Sequence, residues 1–285
     1  MLQLTHTMRS APLSAQIGMT VIMLYAAVAL LAPVLAPFPQ HAVVGPSFQP
    51  WSAAYPLGTD SIGRDVLSRM IHGARNTVGI ALITTMLAFA IGIFFGLIAA
   101  VMAGITDSIL SRAVDALMAI PQLIFALLIL SITGTSVLAL ILIIAVLDST
   151  RVFRLSRAVA QDILTMDYIE VARMRGEGLF WIIRREVLPN ATTPLIAEFG
   201  LRFCFVFLFI SALSFLGLGL QPPMADWGSM VRDSARLIAF ADFSTWQTAT
   251  FGLAPLLPAL AIALLTVAVN LVVDWVLHLS SGLKD

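Results

Sequence analysis

MDYIEVARMRGEGLFWIIRREVLPN, residues 166–190, is a polar island in an otherwise apolar chain. Asp167 precedes Glu170 by three positions, the spacing of an acidic capping box at a helix start. Gly176 and Gly178 then interrupt the helical pattern and permit a sharp bend. A second short helix is expected over Leu179–Val187, ended by Pro189. The result is two short helices at an angle. Arginines line one surface, while Phe180, Trp181 and Ile183 offer apolar contacts. A helical knob with an apolar tip and a charged rim suits insertion into a groove on another protein.

On both sides the island gives way to runs that only lipid suits. Of the 285 residues, 59% are hydrophobic and 11% charged, against about 25% charge in a typical soluble domain. Mean hydropathy is +0.97. A helix needs about 20 apolar residues to cross the hydrocarbon core. Ile17–Leu35, Val78–Met102, Ala113–Thr133, Leu195–Gly217 and Leu253–Leu277 meet that need. Val137–Leu147 is short, and crosses only if its helix runs on past Asp148 with those turns buried in protein. The expectation is an all-α polytopic membrane protein of about six spans, with five as the alternative count. The stretch Ile17–Leu35 reads as a retained helix, not a cleaved leader.

Orientation follows from the arginines. With six spans and the N-terminus inside, ten basic residues fall on inner segments and five on outer ones. Seven of the ten (Arg151, Arg154, Arg157, Arg173, Arg175, Arg184 and Arg185) lie in Thr150–Pro194. The positive-inside rule therefore puts both termini in the cytoplasm. One transmembrane domain spans 1–285, with outer loops at 37–77 and 218–251 and an inner loop at 150–194. In the first outer loop, Thr59 or Asp60 is expected to cap an amphipathic helix beginning near Ser61. Val66, Met70, Ile71 and Ala74 share one face of it. That helix reads either as lying on the membrane or as docking a partner.

Polar residues within spans are costly. Glu198 and Arg202, four apart, read as an intramembrane pair on one face of the fifth span. Asn270 and Asp274 suggest hydrogen bonding between helices. Asp115 and Pro121 suggest a buried cap and a kink. Cys204 reads as a small buried apolar residue. No two of the four histidines have metal-ligand spacing, so no metal or other cofactor is expected in this chain. Fifteen of the sixteen basic residues are arginine, and Lys284 is followed by the final Asp285. A nucleotide-binding P-loop needs lysine followed by Ser or Thr, so ATP hydrolysis would need another polypeptide. No basic tract suits nucleic acid.

Three blocks resemble a known family, the permease subunits of ATP-binding-cassette importers for dipeptides, oligopeptides and nickel. LGTDSIGRDVLSRMIHGAR, Leu57–Arg75, looks like the segment after the family's first helix. EVARMRG followed by REVLP, Glu170–Pro189, is similar to its cytoplasmic E-A-A…G…L-P loop. SFLGLGLQPPMADWGSMV, Ser214–Val231, looks like the signature after its fifth helix. The likeness is greatest to the dipeptide-type C subunit. It implies a type I importer permease (MetI-like) fold and a non-catalytic role, forming half of a pathway for peptides or a similar small solute. Glu170, Ala172, Gly176, Leu188 and Pro189 would form the element that docks on an ATPase. The implied partners are a second homologous permease, two ATPases that carry ATP and magnesium, an extracytoplasmic substrate-binding protein, and the lipid of a bacterial inner membrane. Three features depart from the family. Val171 replaces an alanine, Glu186 stands where a histidine is common, and Val273-Asp274 leads into an unusual tail. Two other classes compete. A stand-alone secondary transporter would need a coupling-ion site near the midplane, and a membrane anchor in a redox or protease complex would need ligands or catalytic dyads.

Overall fold

The computed structural model describes residues 11–240 and 244–281. Arg9, Lys284 and the end of the divergent tail lie outside the described residues. Among the described residues the regular structure is helical, with two isolated β-bridges, Val43 to Arg64 and Thr59 to Asp65, after the first helix.

The first helix, α1 (Leu13–Leu35), packs on the last, α11 (Leu256–Ser281). Tyr25 on α1 donates its hydroxyl to the Ala261 carbonyl at 3.0 Å. α2 (Val66–Met102) is 37 residues long, about 55 Å at 1.5 Å per residue against a hydrocarbon core of about 30 Å. Its first turns must therefore project beyond the core. This corrects the expected separate amphipathic helix. Nothing between Arg75 and Val78 breaks the helix, so the segment is the N-terminal end of the second long helix. The cap differs as well. Helix start follows Asp65, whose carboxylate accepts from the Ser68 N–H at 2.7 Å. Asp60 instead closes a tight turn, accepting from the N–H groups of Ile62 and Arg64.

The expected third span is two helices, α3 (Gly104–Ala119) and α4 (Gln122–Thr133), bent by 87°. Ile120, held extended ahead of Pro121, makes the break, because proline disfavours the helical region in the residue before it. Asp115 is no buried cap. It is exposed and pairs with Arg154 at 2.6 Å.

α5 (Val137–Leu164) runs straight through the doubtful short segment. Ser136 caps it, accepting from the Ala139 N–H. Asp148, Ser149, Thr150, Val152, Phe153 and Ser156 are all buried. Its chief neighbour is α2, and two glycines allow the closeness. A Cβ on Gly92 would sit 2.5 Å from Val152 Cβ, and one on Gly96 would sit 2.1 Å from Ser156 Oγ. Ser156 Oγ donates to the Gly92 carbonyl at 3.1 Å. This is the small-xxx-small packing of membrane helices.

α6 (Asp167–Met174) and α7 (Leu179–Ile182) form the island. A wider π-helical turn, Ile183–Val187, then leads directly into α8 (Leu188–Phe215). Pro189 therefore does not end a helix. It falls in the first turn of α8, where its missing N–H costs little. α9 (Trp227–Ala235), a 3₁₀ turn (Arg236–Phe240) and α10 (Trp246–Leu253) lie between α8 and the last helix.

Four helical runs are long and apolar enough to cross a membrane: 13–35, 66–102, 179–215 and 249–279. The bent α3–α4 pair makes a fifth. α5, with its charged second half, falls short of that measure, so the described residues give four or five such spans and the count of about six is approximate.

Candidate functional site

The island is a helix–turn–helix held rigidly from beneath. Asp167 is the first residue of α6 and not its cap. Asp167 and Glu170 instead put negative charge in the first turn, where the helix dipole favours it. α6 ends at Gly176, whose φ of +82° suits glycine and strains any other residue. Gly178 then stands at the start of α7. On the inner face, Ile169, Ala172, Ile182, Val187 and Ala191 are buried. They form one cluster with Leu97 and Ala100 of α2 and with Val152, Ala160 and Ile163 of α5. The outer face is bare and mixes apolar with charged side chains, Glu170, Arg173 and Arg175 among them. Met174 is 74% and Phe180 75% exposed, and Val171 and Leu179 are exposed beside them.

The five residues named from sequence do not converge on one point. Ala172 is wholly buried and belongs to the base of the knob. Glu170 and Gly176 lie on its exposed surface. Leu188 and Pro189 form the root of the arm that carries it into the membrane. Two of the three aromatic and aliphatic contacts also divide. Phe180 is the exposed tip, whereas Ile183 packs against the base cluster.

Glu198 and Arg202 do pair, with Arg202 Nε 2.7 Å from Glu198 Oε1. The contact is close but outside hydrogen-bond alignment. Sequence reasoning missed the third member. Asp148 of α5 is fully buried, and its Oδ1 lies 3.7 Å from Arg202 Nη1. Neither Asp148 oxygen accepts a hydrogen bond among the described residues. Arg151, three residues on, sits 4.6 Å over the Phe205 ring of α8. Cys204 is buried as expected, against the Thr266 carbonyl. Asp274 is exposed on α11.

At the other end of the molecule, two of the three sequence blocks meet. Trp227 Nε1 donates to the Met70 carbonyl at 3.0 Å. Its ring lies where a Cβ on Gly73 would come within 2.8 Å. Val66, Met70 and Ala74, the face expected to meet lipid or a partner, pack into this cluster. Gln40 Oε1 accepts from Asn76 Nδ2 and from the Ala225 N–H. Asp226 accepts from the N–H groups of Gly228 and Ser229 and caps α9. Burial nevertheless pushes its pKa upward. No group of three or more metal-ligating side chains occurs among the described residues.

Comparison with known proteins places this architecture. Residues 92–281 match the family profile described as "Binding-protein-dependent transport system inner membrane component". The chain is 35% identical over 275 residues to the di/tripeptide transport system permease protein DppC of Pseudomonas aeruginosa strain UCBPP-PA14. That alignment covers 94% of this chain and 85% of the relative. It is 32% identical over 234 residues to the glutathione transport system permease protein GsiD of Pectobacterium atrosepticum, covering 82% and 72%. Among solved structures, an inward-facing form of the MetNI methionine ABC transporter superposes with a TM-score of 0.54 at 17% identity. It covers 74% of this chain and 97% of that one. At that identity the likeness speaks for fold alone, the type I importer permease fold. With more than half of the chain inside one family profile and near-complete alignment to curated permeases, the chain belongs to the binding-protein-dependent transport system inner membrane components, as a multi-pass translocation-pathway subunit of an ATP-driven importer.

Proposed function

We propose that this subunit is the C-type permease of an importer for short peptides, and that α6 and α7 are its grip on an ATPase. The observation that carries this reading is the α6–α7 knob, buried on one face and presenting bare apolar side chains with a charged rim on the other. Exposed Met174 and Phe180 would cost little if they were covered in the assembly, and large exposed apolar patches mark interaction sites. The loop 150–194 then lies in the cytoplasm with both termini, consistent with its seven arginines. Loops 37–77 and 218–251 face outward, where a binding protein delivers substrate. A homologous permease completes the pathway. ATP and magnesium are held by two ATPase subunits, and this chain carries no cofactor. The peptide assignment rests on relatives named for dipeptides, di/tripeptides and glutathione, all short amides with charged ends.

Mechanically, closure of the ATPases on ATP carries each knob with its ATPase. α5 and α8, which enter and leave the knob, turn that motion into a change in the cavity between the two permeases. Co-expression of the chain with its partner subunits tests the grip. Phe180→Asp should abolish co-purification of the ATPase while the chain still inserts. Wild-type recovery of ATPase with that variant would refute the docking surface.

A further inference from the structure

The α6–α7 knob joins α5 and α8 at one end only. Two helices tied at one end can splay at the other, and motion imposed on the tie is then lost in bending. A second tie exists. Asp148 lies 16 residues before the end of α5, and Arg202 lies 14 residues after the start of α8. Both are therefore about 21–24 Å from the knob along their own helices, at matching depth. There the helices are linked crosswise. Arg202 of α8 reaches Asp148 of α5 at 3.7 Å, and Arg151 of α5 lies over Phe205 of α8 at 4.6 Å. Arg202 itself is 5.4 Å from the same ring.

Neither helix needs this link to neutralise itself. Glu198 already pairs with Arg202 at 2.7 Å within α8, and Arg151 follows Asp148 by three residues on α5. A self-contained α8 pair would leave the facing α5 position free to be apolar. Instead that position holds a carboxylate with no exposed surface and no hydrogen bond of its own. Buried charge is a poor stabiliser compared with apolar packing, and its best-attested use is to fix register.

We propose that Asp148 is a positioning residue for transport. Through Arg202 it clamps α5 to α8, so that the two arms and the knob move as one closed frame. The proposal rests on the reading of the knob as the ATPase grip. It assigns to Asp148 a coupling role that needs no contact with substrate or nucleotide.

The test uses the complete transporter reconstituted in lipid, with Cys204→Ser as background. Spin labels at Tyr168→Cys on the knob and Leu138→Cys at the far end of α5 report whether the arm moves with the knob; both native side chains are exposed. A second pair, Leu138→Cys and Leu208→Cys, reports separation of α5 from α8. In the wild type, trapping with ATP and vanadate should leave both distances unchanged. In Asp148→Asn, the second distance should shift by more than about 3 Å, two residues' rise, and Asp148→Glu should restore it. ATP hydrolysis should persist in all three.

The triple replacement Asp148→Leu, Glu198→Gln, Arg202→Met removes both carboxylates and Arg202 together and leaves Arg151 over the Phe205 ring. It should assemble even if Asp148→Asn does not, and it should show the same shift. Unchanged distances in the triple variant would overturn the clamp. Wild-type recovery of the ATPase with Phe180→Asp would instead overturn the grip, and the α5–α8 distance would still report on the clamp.

Discussion

Arg202 illustrates how much one buried side chain decides. It faces two carboxylates, Glu198 at 2.7 Å and Asp148 at 3.7 Å. Arg202→Ala would leave Glu198 unpaired and Asp148 with Arg151 alone in a membrane-embedded site, a loss on the order of 3–5 kcal/mol. Glu198→Ala would leave Arg202 still facing Asp148 and should cost less. Thermal unfolding in detergent checks the order, and equal melting shifts would contradict it. A two-residue pair alone predicts a different pattern, in which Glu198→Ala is worse than the double alanine. Glu198 and Arg202 were legible in the sequence because four-residue spacing is the signature of one helix face. Asp148 was visible only as the residue that cuts an apolar run short. Its role depends on a neighbouring helix, which no local spacing encodes. Asp226 makes the same point outside the membrane. Its cap is worth about 1 kcal/mol, so Asp226→Ala should destabilise by that amount. Burial raises its pKa, so rising pH forces a charge that the site resists. Ionising it therefore costs stability that an amide would not. Asp226→Asn keeps the acceptor and should match or exceed the wild type at pH 8; a loss equal to that of alanine would show that the charge itself is needed.

At the scale of the element, turn chemistry and span length were readable, and helix continuity was not. Gly176 was read as a bend, and its φ of +82° explains why. Gly176→Pro should spare insertion and uncouple transport, because the angle between α6 and α7 would change. Retained ATPase association together with retained uptake would contradict that. By contrast, three helix boundaries moved. The segment after Asp65 proved continuous with the second span. Ala113–Thr133 proved to be two helices at 87°. Pro189 proved to start a helix and not to stop one. In each case a local signal was weighed correctly but its reach was not, since tertiary packing decides whether a break or a cap prevails. The G-I-F-F-G run at 92–96 was a missed signal of close α2–α5 contact. Gly96→Leu should be among the most damaging single changes outside the knob. A Cβ there already falls 2.1 Å from Ser156 Oγ, and overpacking costs about 1–3 kcal/mol. Near-wild-type yield and melting would argue that α2 and α5 are less tightly joined.

For the whole molecule, the sequence blocks divide into two ends. Leu57–Arg75 and Ser214–Val231 meet around Trp227, and Glu170–Pro189 forms the knob at the opposite end of α5 and α8. Three motifs in order made the family legible before any geometry. The distance between them was not legible, because it needs the helix lengths that the sequence left uncertain. The account stands on the knob facing the cytoplasm in the grip of an ATPase. The most direct measurement is site-directed crosslinking at Phe180→Cys in intact cells that express the whole transporter. A membrane-impermeant thiol reagent added outside should leave the site unmodified, and a bifunctional crosslinker that crosses the membrane should join it to the ATPase. Modification from outside, or a crosslink to every subunit except the ATPase, would contradict the account.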